Sequence, residues 1–290
     1  MNGILLIDKP AGWTSMDVCA KLRGVFREKR IGHSGTLDPM ATGLLVVFLG
    51  RATRAVEFAE ADEKTYEAAL RLGVTTDTQD VTGTVLSEAP VSVNDGELEA
   101  AFEKFRGEIE QIPPMYSAVK VNGQKLYQLA RKGKEVERKP RRITIFALEQ
   151  TGTAENGDIL LRVCCSKGTY IRTLCHDIGA ALGCGGAMSA LRRTRAGAFD
   201  IVDAHTLEEI LAAADTGTAE TLLLPVDTLF AAYPALTLTA AQEKVIRNGA
   251  GYTCAETAGE YRLYGKRGEF LALGQVADGA MRPMKSFFEV

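Results

Sequence analysis

The feature that most constrains this 290-residue chain is a polar segment of twelve residues, 32–43 (GHSGTLDPMATG), which runs directly into the apolar residues Leu44–Leu49. Six apolar residues in a row predict a buried strand, and the three glycines and one proline before them predict a loop. A loop held against a buried strand presents reactive side chains from a rigid base. We therefore take this loop, with His33 and Asp38, as the first candidate site.

Apolar periodicity predicts the surrounding elements. Ile4–Ile7 is a short apolar run before a turn, which indicates a buried strand, and a helix capped by Thr14 or Ser15 continues to about Arg30. Residues 65–72 alternate in polarity, as a half-buried strand does. Further predictions are helices over residues 97–105, 124–131 and 173–182, strands over residues 143–148 and 159–165, and a polar loop over residues 75–83 with Asp77 and Asp80.

Charge is distributed unevenly along the chain. The net charge of −3 and the pI of about 5.8 argue against a nucleic-acid partner when composition is considered alone. Residues 120–142, however, carry nine Lys or Arg against two Glu, with Tyr116 and Tyr127 nearby. This pattern predicts a surface that follows phosphates and offers stacking side chains, with a solvated basic hairpin as the alternative. Arg192, Arg193 and Arg195 form a second, smaller basic cluster.

The last part of the chain has a different pattern of residues. Beyond about Pro234, Thr239 can cap a helix to Arg247, and residues 260–288 resemble short strands separated by glycines. We place a domain boundary within residues 230–236. This divides the chain into residues 1–232 and residues 233–290.

The predicted compartment is the cytoplasm. No apolar run approaches the roughly 18 residues of a membrane helix, and the chain starts directly with MNGILLIDKP. The six cysteines form no CxxC pair and have no histidine at the spacing of a zinc site. We expect reduced thiols and no metal.

Single residues leave both structural and chemical interpretations open. Asp38 precedes a proline, so its carboxylate could simply cap a turn, and His33 could be an ordinary hydrogen-bonded loop residue. Tyr66 on an alternating strand could be a core residue. Arg172 follows a Gly-Thr-Tyr turn and could bind phosphate or form a surface ion pair. Each signal is weak in isolation, and only their combination is specific.

Taken in order, the motifs resemble the TruB-type tRNA pseudouridine-55 synthases over residues 3 to about 230. The tail, residues 235–290, resembles a reduced version of the PUA module of these enzymes. The segments that carry the resemblance are LLIDKPAGWTS (5–15), GHSGTLDPMATG (32–43), KTYEAALRLGVTTDTQD (64–80), PPMYSAVKVNGQKLYQLAR (113–131), SKGTYIRTLCHDIG (166–179) and LRRTRAG (191–197).

The resemblance implies an α+β pseudouridine synthase fold, with a central mixed, largely antiparallel sheet flanked by helices. Residues 1–232 would form the catalytic domain, with a thumb-like basic insertion at about 115–142 that closes on an RNA stem-loop. Residues 233–290 would form a small β-rich PUA-like domain. Lys132, Lys134 and Lys139 of the insertion are the expected RNA contacts.

The same resemblance assigns roles to individual side chains. Asp38 would be the catalytic carboxylate, and Arg172 would hold it, since an adjacent guanidinium favours the charged form of a carboxylate. Tyr66 would stack on the target base and is a candidate general base. The remaining assignments are Asp80 lining the site, Leu191 in the pocket wall, and Lys9 and His33 holding the RNA loop.

The implied reaction isomerises a uridine in the T-loop of tRNA by breaking its N1–C1′ bond and rejoining the base through C5. The uridine is stacked in folded tRNA, so it must first be flipped out. The resemblance implies no metal, nucleotide or organic cofactor, no obligatory protein partner and a monomer. The alternatives are a non-catalytic tRNA-binding or tRNA-folding protein, a guide-RNA-dependent relative that works in a complex, and a hydrolase of free nucleosides.

Overall fold

Two main β-sheets and two sheets of two strands form in a computed structural model, which describes residues 1–60, 63–121 and 123–288. Residue 122 of the predicted basic insertion therefore lies outside the described residues. The strands are β1 (Gly3–Lys9), β2 (Ile31–Ser34), β3 (Thr42–Leu49), β4 (Lys64–Leu72), β5 (Val74–Thr76), β6 (Val85–Glu88), β7 (Gly107–Gln111), β8 (Lys120–Val121), β9 (Gln124–Lys125), β10 (Arg141–Thr153), β11 (Ile159–Cys165), β12 (Gly186–Ala196), β13 (Phe199–Asp200), β14 (Ala235–Thr237), β15 (Tyr252–Thr253), β16 (Gly259–Tyr264), β17 (Phe270–Ala277) and β18 (Ala280–Ser286). The two small sheets are β5-β6 and β8-β9.

Helices cover part of the first sheet. The α-helices are α1 (Ser15–Phe26), α2 (Val56–Glu60), α3 (Asp95–Glu103), α4 (Leu126–Ala130), α5 (Ile171–Ala181), α6 (Leu207–Asp215) and α7 (Ala240–Arg247). Among the described residues, no helix is both long and apolar enough to span a lipid bilayer.

The large sheet has the order β1-β3-β12-β4-β11-β10-β7, with β2 beside β3 and β13 beside β12. Among the described strands of this sheet, only the β3–β12 pair is parallel, and the other pairs are antiparallel. Helices α1, α3, α5 and α6 contribute buried residues to one core on this sheet. The predicted α+β fold with a mixed, largely antiparallel sheet is confirmed.

The apolar run Leu44–Leu49 forms β3, whose two faces are both buried. Leu45, Val47 and Leu49 pack into the core shared with the helices. Leu44, Val46 and Phe48 pack into a second core on the opposite face of the sheet. A strand covered on both sides needs apolar residues at every position, which explains the continuous run.

The C-terminal domain is built on a five-stranded sheet in the order β14-β16-β17-β18-β15. Its Phe270 and Phe287 pack against Phe230, which also contacts Phe58 edge to face. Lys285 forms an ion pair with Glu57 in addition. The predicted small β-rich C-terminal domain is confirmed, whereas the boundary at 232/233 and the limits of the insertion stay predictions.

Two predicted boundaries near the site differ from the structure, and one strand was not predicted. Helix α1 ends at Phe26 instead of near Arg30, because Arg27 adopts the left-handed conformation with φ of 50°. The loop predicted for residues 32–43 begins later, since Ile31–Ser34 pairs with β3 and places His33 on a strand. The strand Gly186–Ala196 was not predicted from the sequence, because its arginines interrupt the apolar pattern.

Candidate active site

The loop that carries Asp38 connects β2 to β3 and is fastened to the start of α1. Ser15 Oγ accepts a hydrogen bond from the Leu37 backbone N at 2.9 Å and lies 3.2 Å from the Leu37 carbonyl oxygen, to which it donates. The backbone N of Gly12 donates to the Pro39 carbonyl at 2.8 Å. Leu37 is buried in the core, whereas the Asp38 side chain keeps 35% exposure. The loop therefore presents its carboxylate outward from a fixed base.

Arg172 joins that carboxylate to two other segments. It lies in the first turn of α5, and its side chain is 5% exposed. Its Nε donates to Asp38 Oδ2 at 2.8 Å, its Nη1 to the Thr78 carbonyl at 3.0 Å, and its Nη2 to the Tyr116 carbonyl at 2.9 Å. A planar guanidinium with several donors can hold three acceptors in one geometry. The predicted Asp38–Arg172 pair is therefore formed in the structure.

Asp80 is the second carboxylate beside Arg172. It is buried, and its Oδ2 lies 3.7 Å from Arg172 Nε. Its Oδ1 accepts hydrogen bonds from Thr78 Oγ1 at 2.9 Å, from the Thr82 backbone N at 2.9 Å and from Thr82 Oγ1 at 2.5 Å. The Asp80 carboxylate is thus already hydrogen-bonded within its own turn. Among the described residues, no hydrogen bond reaches Asp38 Oδ1, so Asp38 is the carboxylate with an oxygen free to react.

Lys9 lies under the same loop and is fully buried. Its Nζ donates to the carbonyl oxygens of Trp13 at 2.7 Å, Pro10 at 2.9 Å and Pro39 at 3.5 Å. Burial lowers its pKa from 10.5 to about 8, while the nearby charge of Asp38 acts in the opposite direction. The ammonium therefore faces protein carbonyls, and its predicted effect on RNA would pass through the Asp38 loop.

Tyr66 and Arg193 are directly opposite each other on the antiparallel strands β4 and β12. Both side chains are buried, and burial raises the pKa of the Tyr66 hydroxyl, while the charge of Arg193 acts against that rise. His33 on β2 has a buried Nδ1 with no hydrogen-bond partner among the described residues. Burial, assisted by the charge of Arg193, lowers the pKa of His33. Arg193 thus acts on two predicted site residues.

Sequence reasoning did not single out Arg193. It placed Arg193 with Arg192 in a basic cluster, whereas the structure sends adjacent side chains of β12 in different directions. Arg192 forms a two-point ion pair with Asp8, with N–O distances of 3.0 and 2.7 Å, while Arg193 is 1% exposed. Gly43 on the neighbouring strand is the available sequence signal. With φ of +98°, a Cβ there would lie 2.3 Å from the Arg193 carbonyl oxygen.

Leu191, the predicted pocket-wall residue, is 9% exposed and belongs to the same core cluster as Tyr66 and Leu37. It lies on β12 opposite Ala68 of β4. This position is compatible with both of its interpretations, as wall of a pocket and as core residue. Its contact with a substrate stays a prediction.

In the basic insertion, unlike in the site around Asp38, the lysines expected to contact RNA are exposed. These are Lys132, Lys134 and Lys139, and no described carboxylate lies within ion-pair distance of them. Tyr127 is flanked by Lys125 and Arg131, whose charged groups lie 5.7 and 5.4 Å from the ring centroid. These cations are available to a phosphate backbone.

The described residues contain no group of three His, Cys, Asp or Glu side chains that could hold a metal ion. The six cysteines Cys19, Cys164, Cys165, Cys175, Cys184 and Cys254 are free thiols.

The chain matches two family models. Residues 23–171 match the TruB family pseudouridylate synthase N-terminal domain, and residues 172–231 match the tRNA pseudouridylate synthase B C-terminal domain. Similar curated proteins include the tRNA pseudouridine synthase B of Azoarcus sp. (strain BH72), with 47% identity over 98% of this chain and 94% of the relative. That of Clostridium kluyveri is 41% identical over 99% of this chain and 100% of the relative.

Solved structures agree on the fold. A crystal structure of a Cbf5-Nop10-Gar1 complex contains a chain that superposes with a TM-score of 0.74 at 27% identity, covering 99% of this chain and 85% of that one. A chain of an H/ACA RNP bound to a substrate RNA superposes equally well, also with a TM-score of 0.74, at 24% identity over 99% of this chain and 85% of that one. Because the curated relatives match along nearly their whole length and two family models cover residues 23–231, this chain belongs to the TruB family of tRNA pseudouridine synthases.

Proposed function

We propose that the enzyme converts the T-loop uridine at position 55 of tRNA to pseudouridine, with Asp38 as the catalytic carboxylate. The observation that carries this proposal is the Asp38–Arg172 pair. One carboxylate oxygen is bonded to a buried guanidinium at 2.8 Å, and the other has no protein partner among the described residues. A carboxylate held in this way is oriented before substrate arrives, which lowers the entropic part of the barrier.

The reaction requires no net redox change. The N1–C1′ bond of the uridine breaks, the base turns, C5 bonds to C1′, and the proton on C5 leaves. Asp38 Oδ1 can attack the substrate or accept a proton during these steps, and Arg172 keeps the carboxylate in position throughout. Tyr66, on the strand next to Arg193, is the candidate base for the departing proton.

Base flipping supports the choice of a folded RNA substrate. Arg172, Tyr66 and Leu191 are buried, so a uridine stacked within an RNA stem-loop would not reach Asp38 without leaving the stack. Extrusion of a base costs a few kcal/mol. Contacts of RNA phosphates with Lys132, Lys134 and Lys139 would offset that cost. Lys9, His33 and Asp80 would keep the surrounding loops in the geometry that receives the flipped nucleotide.

The enzyme is proposed to act alone as a monomer. Its curated tRNA-modifying relatives match it over nearly their full length, whereas the structural relative in the Cbf5-Nop10-Gar1 complex extends beyond it. A guide-RNA-dependent enzyme would be inactive on tRNA without its partners. Activity of the purified protein on an unmodified tRNA transcript distinguishes the two modes of action.

The test is tritium release from a tRNA transcript containing C5-tritiated uridine, since the C5 proton is lost only if the base is rejoined through C5. We expect about one tritium per transcript with purified protein and none when the T-loop target uridine is replaced by cytidine. Release that persists with the cytidine transcript would overturn the assignment of position 55. Tight binding without any release would favour the tRNA-folding alternative.

A further inference from the structure

Arg193 is a buried cation without a buried anion beside it. Its side chain is 1% exposed, and no carboxylate of the described residues lies within 4.0 Å of it. Buried charges in proteins are normally paired or fully hydrogen-bonded, because a charge that leaves water loses its hydration. The other two buried cations of the site, Arg172 and Lys9, both have Asp38 nearby. Arg193 is therefore held here for a reason other than ion pairing.

The Arg193 guanidinium donates hydrogen bonds to backbone carbonyls on either side of Asp38 in the sequence. Nε donates to the Leu44 carbonyl at 2.7 Å, and Nη2 donates to the Gly35 carbonyl at 3.0 Å. Gly35 stands before Asp38 in the loop, and Leu44 follows the loop in β3. One guanidinium thus connects both ends of the segment that carries the catalytic carboxylate.

The approach of Arg193 to this loop is close. A Cβ at Gly35, where φ is +73°, would lie 3.1 Å from Arg193 Nη1 and 3.9 Å from the Lys64 side chain. Both the backbone conformation and the available space therefore favour glycine at this position. The loop is shaped to accept the guanidinium.

The third neighbour of Arg193 is Tyr66. Residues directly opposite on antiparallel strands point to the same face with Cβ atoms about 5 Å apart, and Arg193 and Tyr66 form such a pair. The charge of Arg193 also acts on the Tyr66 hydroxyl. Arg193 therefore lies opposite one candidate catalytic residue and holds the two ends of the loop that carries the other.

We propose that Arg193 is a positioning residue that holds the Asp38 loop in a fixed relation to Tyr66 for the isomerisation. This inference rests on the proposed function, because it assumes roles for Tyr66 and Asp38. Burial raises the pKa of the Tyr66 hydroxyl, and the positive charge of Arg193 opposes that rise. Arg193 would thereby help Tyr66 to release its hydroxyl proton to solvent and, as a phenolate, to accept the proton released from C5 of the base.

Several ionisable groups surround this pair. Cys165 on β11 and Asp38 on its loop act on Tyr66 together with Arg193. The charge of Arg193 also lowers the pKa of His33 on β2 and of Lys9 on β1. The side chain of Lys64 on β4 also lies near the loop at Gly35. Among the groups that act on Tyr66, Arg193 is the one whose charge favours the phenolate.

The test compares Arg193→Gln, which removes the charge, with Arg193→Lys, which keeps the charge but cannot span the Leu44 and Gly35 carbonyls. Arg192→Lys on the same strand is the matched control, since its exposed side chain pairs with Asp8. The first readout needs no RNA: phenolate absorbance against pH, with the Tyr66→Phe curve subtracted to isolate Tyr66. We expect the Tyr66 midpoint to rise by about one pH unit or more in Arg193→Gln.

The second readout is single-turnover tritium release at saturating tRNA. We expect the rate to fall by about 100-fold in Arg193→Gln and less in Arg193→Lys, with tRNA affinity unchanged in both. The rising limb of the rate against pH should move in the same direction as the Tyr66 titration. Arg192→Lys should match the parent in every readout.

Two outcomes would overturn the proposal: an unchanged Tyr66 titration in Arg193→Gln, or equal losses of rate and affinity. Circular dichroism checks that both variants are folded. If Arg193→Gln does not fold, the same two readouts on Arg193→Lys test the proposal. If Tyr66→Phe is fully active, the proposed role of Tyr66 fails, and the titration alone still decides whether the charge of Arg193 acts on its hydroxyl.

Discussion

The proposed catalytic centre and the basic insertion use their cations in opposite ways. In the centre, Arg172 is buried and donates to a carboxylate and two backbone carbonyls that belong to three separate segments. In the insertion, Lys132, Lys134 and Lys139 are exposed and have no carboxylate partner among the described residues. Regular structure in the insertion is also sparse, with α4 and the short strands β8 and β9.

This difference fits the role proposed for each region. Bond rearrangement requires atoms fixed to within a fraction of an ångström, which interlocking hydrogen bonds of a buried guanidinium provide. Attraction of a phosphate backbone requires only accessible positive charge. Rate and affinity should therefore respond to different substitutions, and the two regions meet at the hydrogen bond from Arg172 to the Tyr116 carbonyl.

Asp38→Asn should have the largest effect. The amide keeps the shape of the side chain but cannot act as nucleophile or base, so we expect the single-turnover rate to fall by about 10³-fold or more, at least about 4 kcal/mol of transition-state stabilisation. Affinity for tRNA should stay within about threefold, because phosphate contacts elsewhere supply most of it. Tritium release and filter binding measure the two quantities. Retained turnover would remove Asp38 from its central role.

Arg172→Lys should come next. A lysine cannot reach Asp38, the Thr78 carbonyl and the Tyr116 carbonyl together, so we expect about a 100-fold lower rate and a loss of about 1–3 kcal/mol in the free energy of unfolding from unpaired carbonyls. Arg162→Lys is the control, since its exposed side chain pairs with Glu149 on the neighbouring strand. Urea unfolding and tritium release check both effects. An equal fall in tRNA affinity would contradict the separation of the two regions.

Lys132→Gln, Lys134→Gln and Lys139→Gln together should weaken binding without altering the fold. The dependence of the logarithm of affinity on the logarithm of salt concentration should flatten by about one unit of slope for each phosphate that the protein no longer neutralises. The control removes the same charge outside the insertion, at the exposed residues Lys21, Lys29 and Lys104. If the insertion is merely solvated, both triple variants will show the same slope as the parent.

Lys9 gives the smallest effect and a pH dependence. Its pKa lies near 8 in the folded protein against 10.5 for an ordinary lysine, so between these values the unfolded chain holds a proton that the folded chain lacks. The free energy of unfolding should therefore rise with pH in this window relative to Lys9→Met, by at most about 1.4 kcal/mol per pH unit, and this contribution is lost as pH falls toward 8.

Unfolding of both proteins from about pH 7 to 10.5 measures that difference. The salt dependence of tRNA binding should be the same in both, because the Lys9 ammonium faces protein carbonyls. A weaker salt dependence of tRNA binding in Lys9→Met than in the parent would mean that the buried centre also contacts phosphate.

The sequence predicted elements well wherever one kind of residue dominates a stretch. Leu44–Leu49 is apolar throughout and is a strand, and Thr239 caps a helix through a capping box with Gln242. β12 was not predicted because Arg192 and Arg193 share the same polarity while lying in different environments. Periodicity does not distinguish a buried arginine from an exposed one.

The candidate site shows the same limit. Residues far apart in the sequence, Asp38 and Arg172, were paired through family resemblance, and the structure brings them to 2.8 Å. No local sequence pattern predicts that Arg193 donates to the Gly35 and Leu44 carbonyls, because these hydrogen bonds depend on how β3 and β12 lie side by side. The inward orientation of Lys9 also required the fold, because a lysine that precedes a proline at the start of a turn is normally exposed.

The central claim is that the insertion supplies affinity and the buried centre supplies rate. The most direct measurement is single-turnover tritium release by the Lys132, Lys134 and Lys139 triple variant at low salt and saturating tRNA. The claim predicts that the rate recovers to that of the parent once all enzyme is bound. A rate that stays low at saturation would contradict it, and would mean that the insertion also shapes the catalytic centre through the Tyr116 carbonyl on Arg172.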